Sequence, residues 1–153
     1  MIESQLFPPT HRYKYPHMFP LDVAVWERFL DKYGDDYEGF YYDVQCGAPC
    51  MQYSHWQDNY RRDAEMLSRL RIDAVGVKAG GFDIIEVTPR LNATSIGQVL
   101  SYRLHFIEDT KPSGSVRPVI VVGQPDENIL AIAKQSDITV FIVFHQIFSA
   151  ANH

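Results

Sequence analysis

Two uncharged apolar stretches in the C-terminal third of the chain constrain its fold more than any other feature. Residues 118–122 and 138–144 are both short and rich in valine, isoleucine and phenylalanine. Between them, Asp126 can cap a helix whose apolar residues recur at helical spacing. Strands that are apolar throughout are buried on both faces, and a helix between two of them is typical of a parallel β-α-β unit. These residues therefore predict an α/β domain with helices packed on a central sheet.

The composition is that of one ordinary globular domain. The chain has 153 residues, of which 46% are hydrophobic and 13% aromatic, so it can bury a core. Its formal net charge of -5 gives no support to a protein that holds nucleic acid mainly through phosphates. The first residues lack a basic segment followed by an apolar one, and no apolar run reaches the length of a membrane span. We therefore expect a soluble protein that is cytoplasmic as synthesised.

Residues 22–90 predict one helix followed by three strands. Asp22 can cap the helix, which Gly34 ends. Aromatic and β-branched residues predict strands over residues 40–45, 67–78 and 83–88, and Pro89 is expected to stop the last of them. A turn over residues 79–81 joins the second strand to the third. The apolar stripe of the helix consists of Val23, Trp26, Phe29 and Leu30.

A second helix, predicted over residues 94–107, has two faces of different character. The helical period places Ile96, Leu100, Leu104 and Ile107 together on an apolar face that is expected to enter the core. The same period aligns Gln98, Tyr102 and His105 in a polar stripe on the opposite side. This stripe either lines a binding groove, forms a partner surface or is simply the solvated side of the helix.

Two carboxylates are expected to meet on the hairpin formed by the second and third strands. If the turn centres on Gly80 and Gly81, Asp73 lies opposite Thr88 and is a diagonal neighbour of Glu86, at about 7 Å between backbones. Two carboxylates with a backbone carbonyl and waters make a typical Mg²⁺ site. Two acidic residues on neighbouring strands are also a common accident, and the interpretation as ordinary surface charge stays open.

The order of these features resembles the PD-(D/E)XK nuclease superfamily, particularly its RecB-like branch, over about residues 40–144. The resemblance implies a restriction-endonuclease-like core, a mixed central sheet flanked by helices. It implies that Asp73 and Glu86 are Mg²⁺ ligands and that Gln98 and Tyr102 are the QxxxY helix motif beside the site. Residues 86–90, EVTPR, resemble an EVKPR sequence in which threonine, Thr88, replaces the family's lysine.

The replacement at Thr88 leaves three hypotheses for function. Threonine has no charge to offset the charge that develops on phosphate, and Lys78 and Arg90 are poorly placed to substitute. The first hypothesis is an inactive nuclease-like domain that serves as a structural or interaction protein, for example in a bacteriophage virion near the head-to-tail connector. The second is an active Mg²⁺-dependent DNA nuclease that uses Asp73 and Glu86. The third is a module that binds nucleic acid without cutting it.

Residues 1–20 are predicted to form an extended arm ahead of a single domain over residues 21–153. The arm is rich in proline and aromatic residues, which favour extended chain and need burial. It either docks on a protein partner, in a homo-oligomer or a virion assembly, or wraps over its own domain.

Residues 46–62 contain two further patterns that are candidate sites. Cys46 and Cys50 with His55 suggest a metal site, although zinc needs about four ligands and a reduced pair in a Gly-Pro turn fits better. Arg61 and Arg62 form a small basic pair that could touch phosphate, although one such pair is more often ordinary surface. Neither pattern therefore predicts a site by itself.

Overall fold

A computed structural model of the protein describes residues 2, 5–47 and 70–144. Within this part of the chain the helices and strands follow one another in the predicted order. No helix within the described ranges is long and apolar enough to cross a membrane. The helices are α1 (Pro20–Tyr33), α2 (Ala93–Thr110) and α3 (Glu127–Gln135), and a 3₁₀ turn spans Gly34–Asp36. The strands are β1 (Gly39–Cys46), β2 (Leu70–Lys78), β3 (Gly81–Arg90), β4 (Ser115–Gln124) and β5 (Thr139–Ile142).

The five strands form one mixed sheet in sequence order, β1-β2-β3-β4-β5. The first three strands form an antiparallel meander, whereas β4 and β5 each lie parallel to the strand before them. Helix α2 connects β3 to β4 and helix α3 connects β4 to β5. The predicted parallel β-α-β unit and the α/β class are therefore confirmed.

The three helices cover both faces of the sheet. Helix α1 packs Trp26 and Phe29, which are fully buried, against one face of the sheet. The Trp26 indole N–H donates a hydrogen bond to the Tyr42 hydroxyl at 3.1 Å, so this core pair leaves neither polar group unsatisfied. Helices α2 and α3 cover the opposite face, where Phe106 and Val99 are fully buried.

The prediction of which face of α2 enters the core is wrong, because the helix is rotated about its own axis relative to that prediction. Leu100 and Leu104 are 38% and 53% exposed, whereas Val99, Tyr102 and Phe106 are buried. Apolar residues occupy two overlapping stripes of this helix, and the one with two large aromatic rings removes more apolar surface from water. The predicted polar stripe is consequently divided, because Tyr102 faces the core while Gln98 is exposed.

The predicted register of the β2–β3 hairpin is wrong by two residues. The turn consists of Ala79 and Gly80, with Gly80 at φ 85°, and Lys78 pairs with Gly81. The ladder extends to the pair Ala74 and Ile85, beyond which Asp73 stands opposite Glu86. The two carboxylates are therefore direct cross-strand neighbours and not diagonal ones.

Strand β3 also continues through Pro89, which was expected to stop it. Arg90 still pairs with Gln124 of β4. The backbone nitrogens of residues 87 and 89 lie on the same side of the strand, and this side faces β2, where the ladder has already ended. Proline is tolerated there because no partner strand requires its missing N–H.

Helix α1 begins two residues earlier than its predicted cap. Pro20 is its first residue, and Asp22 lies at the third helical position, where its carboxylate accepts a hydrogen bond from the Phe19 amide at 3.0 Å. Gly34 follows the helix as predicted, with φ −56°. A Cβ on Gly34 would lie 2.7 Å from the Pro9 carbonyl oxygen, so this glycine is required by a close approach of the arm.

The N-terminal arm wraps over its own domain, which was one of the two predicted alternatives. Phe7 pairs with Phe40 of β1 through two backbone hydrogen bonds of 2.9 Å. The Arg12 guanidinium lies 3.6 Å from the centre of the Phe7 ring, and the buried Tyr15 meets Tyr42 edge-on. The arm is thus part of the fold, although Tyr13 and Phe19 are exposed.

Candidate carboxylate site

Asp73 and Glu86 meet where the ladder between β2 and β3 ends. The Val87 amide donates a hydrogen bond of 2.8 Å to Asp73 Oδ2, so the carboxylate takes the place that the backbone of a continuing strand would have filled. Asp73 and Glu86 also interact through their side chains, and the Tyr102 hydroxyl of α2 interacts with Glu86. Two strands and one helix therefore hold the pair.

Both carboxyl groups lie in surroundings that disfavour negative charge. Burial raises the pKa of Glu86, and the neighbouring Asp73 charge raises it further, while the hydrogen bond from Tyr102 opposes the shift. Burial likewise raises the pKa of Asp73, and the hydrogen bond from Val87 opposes it. Two close carboxyl groups with raised pKa values share a proton readily, as one of them donates to the other. Without a counter-ion the pair is therefore costly to ionise.

The pair fits a divalent cation. Glu86 is 8% exposed and its Oε2 atom has no hydrogen-bond partner, which is unusual for a buried carboxylate oxygen. Within the described ranges, no group of three or more His, Cys, Asp or Glu side chains is placed to hold a metal ion. Two carboxylates suffice for Mg²⁺, because this ion keeps several waters and is commonly bound by one or two carboxylates.

Two further carboxylates adjoin the pair and were not predicted as site residues. The charge of Asp22 on α1 raises the pKa of both Asp73 and Glu86, and the charge of Asp43 on β1 raises that of Asp73. Asp22 was interpreted only as a helix cap. Asp43 could have been found in the sequence, because it is the one charged residue of β1.

Neither Thr88 nor Gln98 joins this group of side chains. The Thr88 hydroxyl donates a hydrogen bond of 3.1 Å to the carbonyl of Arg90, and Gln98 is exposed on α2. Of the two residues of the QxxxY pattern, the fold therefore brings only Tyr102 to the pair.

The two basic residues considered as substitutes for the lysine are also placed elsewhere. Lys78 lies at the turn end of the hairpin, where its Nζ is 3.8 Å from Asp83. Arg90 is exposed at the end of β3. The placement of Lys78 is the predicted one. For Arg90 the expected obstacle, a strand disrupted at Pro89, is wrong, because β3 continues through Arg90.

Of the Cys46, Cys50 and His55 pattern, the fold describes only Cys46, which is buried at the end of β1. The remaining members of that pattern and the basic pair Arg61 and Arg62 lie outside the described residues. A metal site or a phosphate contact at these positions stays a hypothesis.

No protein-family model, curated protein or solved structure matches this chain. The fold thus establishes an α/β domain with a five-stranded mixed sheet and three helices. Any family assignment depends on the order of these elements and on the side chains that meet at Asp73 and Glu86.

Proposed function

We propose that the chain is a nuclease-like domain of the PD-(D/E)XK type, with a restriction-endonuclease-like core, that binds a divalent cation through Asp73 and Glu86 and hydrolyses phosphodiesters slowly. The observation that carries the proposal is the meeting of these two buried carboxylates, from adjacent strands, with Tyr102 from the following helix. The elements also follow one another in the order that the resemblance implies.

Each residue of the site has a distinct part in this proposal. Asp73 and Glu86 hold the cation, the Val87 amide orients Asp73, and the Tyr102 hydroxyl orients Glu86. A bound Mg²⁺ supplies Lewis-acid polarisation of the phosphate and a more acidic water. Thr88 contributes no positive charge, and its hydroxyl is engaged with the Arg90 carbonyl. We therefore expect hydrolysis to be slowed by the loss of one electrostatic stabiliser, roughly 100–1000-fold relative to a site that retains it.

A structural or interaction role is the second candidate function. It is favoured by apolar side chains that remain in solvent on the arm and at the start of α1. Tyr13 is fully exposed, and Phe19 and Leu21 are 76% and 69% exposed. Such residues suit contact with another protein, for example in a virion assembly, and this role is compatible with a slow or silent site.

Cleavage of linear and plasmid DNA in Mg²⁺ or Mn²⁺ tests the proposed activity. We expect slow cleavage by the unmodified protein that requires the cation and is lost in Glu86→Gln, because the amide cannot replace a charged ligand. Glu108→Gln is the matched control, since Glu108 is 61% exposed on α2 and lies outside the pair. Equal cleavage by the Glu86→Gln protein would show that the activity comes from another site or a contaminant.

A further inference from the structure

A network of side chains leads from the sheet to the surface. It consists of Arg71, Asp43 and His17 and is called the His17 network below. Arg71 Nη2 lies 3.0 Å from Asp43 Oδ2, and His17 Nε2 lies 3.5 Å from the same oxygen. The Arg71 and Asp43 side chains are 25% and 17% exposed, whereas His17 is 47% exposed. The imidazole is therefore accessible to a ligand while the groups behind it are largely shielded.

The backbone of two residues in the His17 network is held in an uncommon conformation. His17 and Asp43 have φ angles of 63° and 53°, in the left-handed region, which is uncommon outside glycine and in which aspartate and histidine are enriched among the other residues. Backbone conformations of this kind cluster at functional sites. That two such residues lie against each other, one on the arm and one on β1, calls for an explanation beyond packing.

Unpartnered polar atoms concentrate in the same place. Three buried side-chain atoms in the described part of the chain have no hydrogen-bond partner, namely Asp43 Oδ1, Arg71 Nε and Glu86 Oε2. Two of the three atoms belong to the His17 network, and the third belongs to the carboxylate pair. Buried polar groups are normally satisfied, so their clustering indicates a region shaped for a ligand.

The His17 network lies beside the carboxylate pair. In the register of β1 and β2, Tyr42 pairs with Ala74 and Val44 with Ile72, which places Asp43 opposite Asp73. The Asp43 charge raises the pKa of Asp73, as expected for neighbours on adjacent strands. The acidic residues Asp43, Asp73 and Glu86 thus form a row across three strands, with His17 at one end.

Resting on the cation site proposed above, we propose that His17 is a catalytic residue of phosphodiester hydrolysis, with Asp43 and Arg71 as its positioning residues. Because Nε2 faces the Asp43 Oδ2 atom at 3.5 Å, the carboxylate favours the tautomer with the proton on Nε2 and a lone pair on Nδ1. In the hydrolysis step the water oxygen forms a bond to phosphorus and its proton passes to Nδ1. The bond from phosphorus to the leaving oxygen breaks, and the leaving group departs with the electron pair. His17 thereby supplies the proton acceptor that Thr88 is not.

The test uses bis(p-nitrophenyl) phosphate, whose leaving group departs without a proton, in the presence of Mn²⁺. His17→Gly is the chosen variant, because glycine adopts the left-handed conformation at position 17 without strain and leaves space for a small base. We expect the rate constant to fall by about 100-fold, the lower end for general-base catalysis, and to recover in part when imidazole is added.

Two further variants distinguish a catalytic role of His17 from a role in attaching the arm to the domain. Asp43→Asn keeps a residue that tolerates the left-handed backbone and should lower kcat with little change in KM. His11→Ala is the matched control. His11, like His17, attaches the arm to the domain, with its Nε2 atom 2.7 Å from Asp31 of α1, but it lies outside the His17 network. Its rate should equal that of the unmodified protein and should not respond to imidazole.

An unchanged hydrolysis rate in His17→Gly, or a loss of rate that imidazole does not restore, would overturn the proposal. His17 would then only attach the arm to the domain. The absence of any Mn²⁺-dependent hydrolysis by the unmodified protein would overturn it as well. Mn²⁺ binding, measured separately by calorimetry on the same samples, shows whether the cation site itself exists. Failure of the cation site is therefore distinguished from failure of His17 as the proton acceptor.

Discussion

Thr88→Lys is expected to raise the rate of Mg²⁺-dependent DNA cleavage by roughly 100–1000-fold, the usual worth of one preorganised electrostatic stabiliser. Thr88 lies two residues beyond Glu86 on β3, so its side chain points to the same face of the strand. It is partly exposed, and its hydroxyl donates a hydrogen bond to the Arg90 carbonyl. A longer side chain can therefore be accommodated without disturbing the core.

Two variants control this experiment. Thr88→Met matches lysine in length without its charge and should leave the rate unchanged. Thr88→Lys combined with Glu86→Gln should be inactive, because the added charge acts only on a site that holds the cation. A Thr88→Lys protein that folds and cleaves no faster than the unmodified protein would contradict the view that position 88 limits the reaction.

Asp83→Ala is expected to destabilise the fold by about 3 kcal/mol, because it breaks a buried ion pair. Asp83 is 3% exposed on β3 and accepts hydrogen bonds from the Tyr37 hydroxyl at 2.7 Å and from Arg117 at 3.0 and 2.7 Å. Its removal leaves both donors without their acceptor. The Arg117 side chain is 38% exposed and can recover some hydration, so the cost lies at the lower end of the range for such pairs.

Urea unfolding measures this loss, and Lys78→Ala is the control. Lys78 is 33% exposed and its Nζ lies 3.8 Å from Asp83, so its removal should cost less than about 1 kcal/mol. Asp83 lies toward the turn end of the hairpin, away from the carboxylate pair. Cation binding should therefore be retained in Asp83→Ala under conditions in which the protein is folded. A free energy of unfolding within about 0.5 kcal/mol of the unmodified protein would contradict a structural role for Asp83.

The β4-α3-β5 unit could be predicted from the sequence because its signals are local and consistent. Its strands are apolar throughout, and Asp126 does cap α3, accepting from the amides of Asn128 and Ile129. The rotation of α2 could not be predicted in the same way. Which of its two apolar stripes is buried depends on how each packs against the side chains of the sheet, and this is determined by tertiary packing.

The site was only partly predictable for a similar reason. Asp73 and Glu86 were identified, but consecutive glycines at positions 80 and 81 allow the turn to be placed in more than one way, and the observed turn shifts the register by two residues. Asp22, Asp43 and His17 come from three separate segments. Asp22 approaches the pair through the packing of α1 and Asp43 through the pairing of β1 with β2, whereas His17 depends on the arm folding back over its own domain, which no local pattern specifies.

The central claim is that Asp73 and Glu86 form a buried like-charge pair whose cost of ionisation is relieved by a divalent cation. The pKa values of both groups are raised above their usual 3.8 and 4.5, so the native state holds protons that the unfolded state has lost. The resulting stabilisation is complete below those usual values and is lost as the pH rises through the raised ones. In Glu86→Gln the part of this loss that belongs to Glu86 should disappear, because glutamine does not ionise, while burial still raises the pKa of Asp73.

The most direct measurement is the thermal unfolding midpoint of the unmodified protein and Glu86→Gln across this pH range, in EDTA and in Mn²⁺. In EDTA we expect Glu86→Gln to become the more stable protein as the pH rises, because the pair in the unmodified protein must ionise. Mn²⁺ should restore the stability of the unmodified protein at high pH and have little effect on Glu86→Gln. Parallel pH profiles, with equal shifts by Mn²⁺ in both proteins, would contradict a cation site at Asp73 and Glu86.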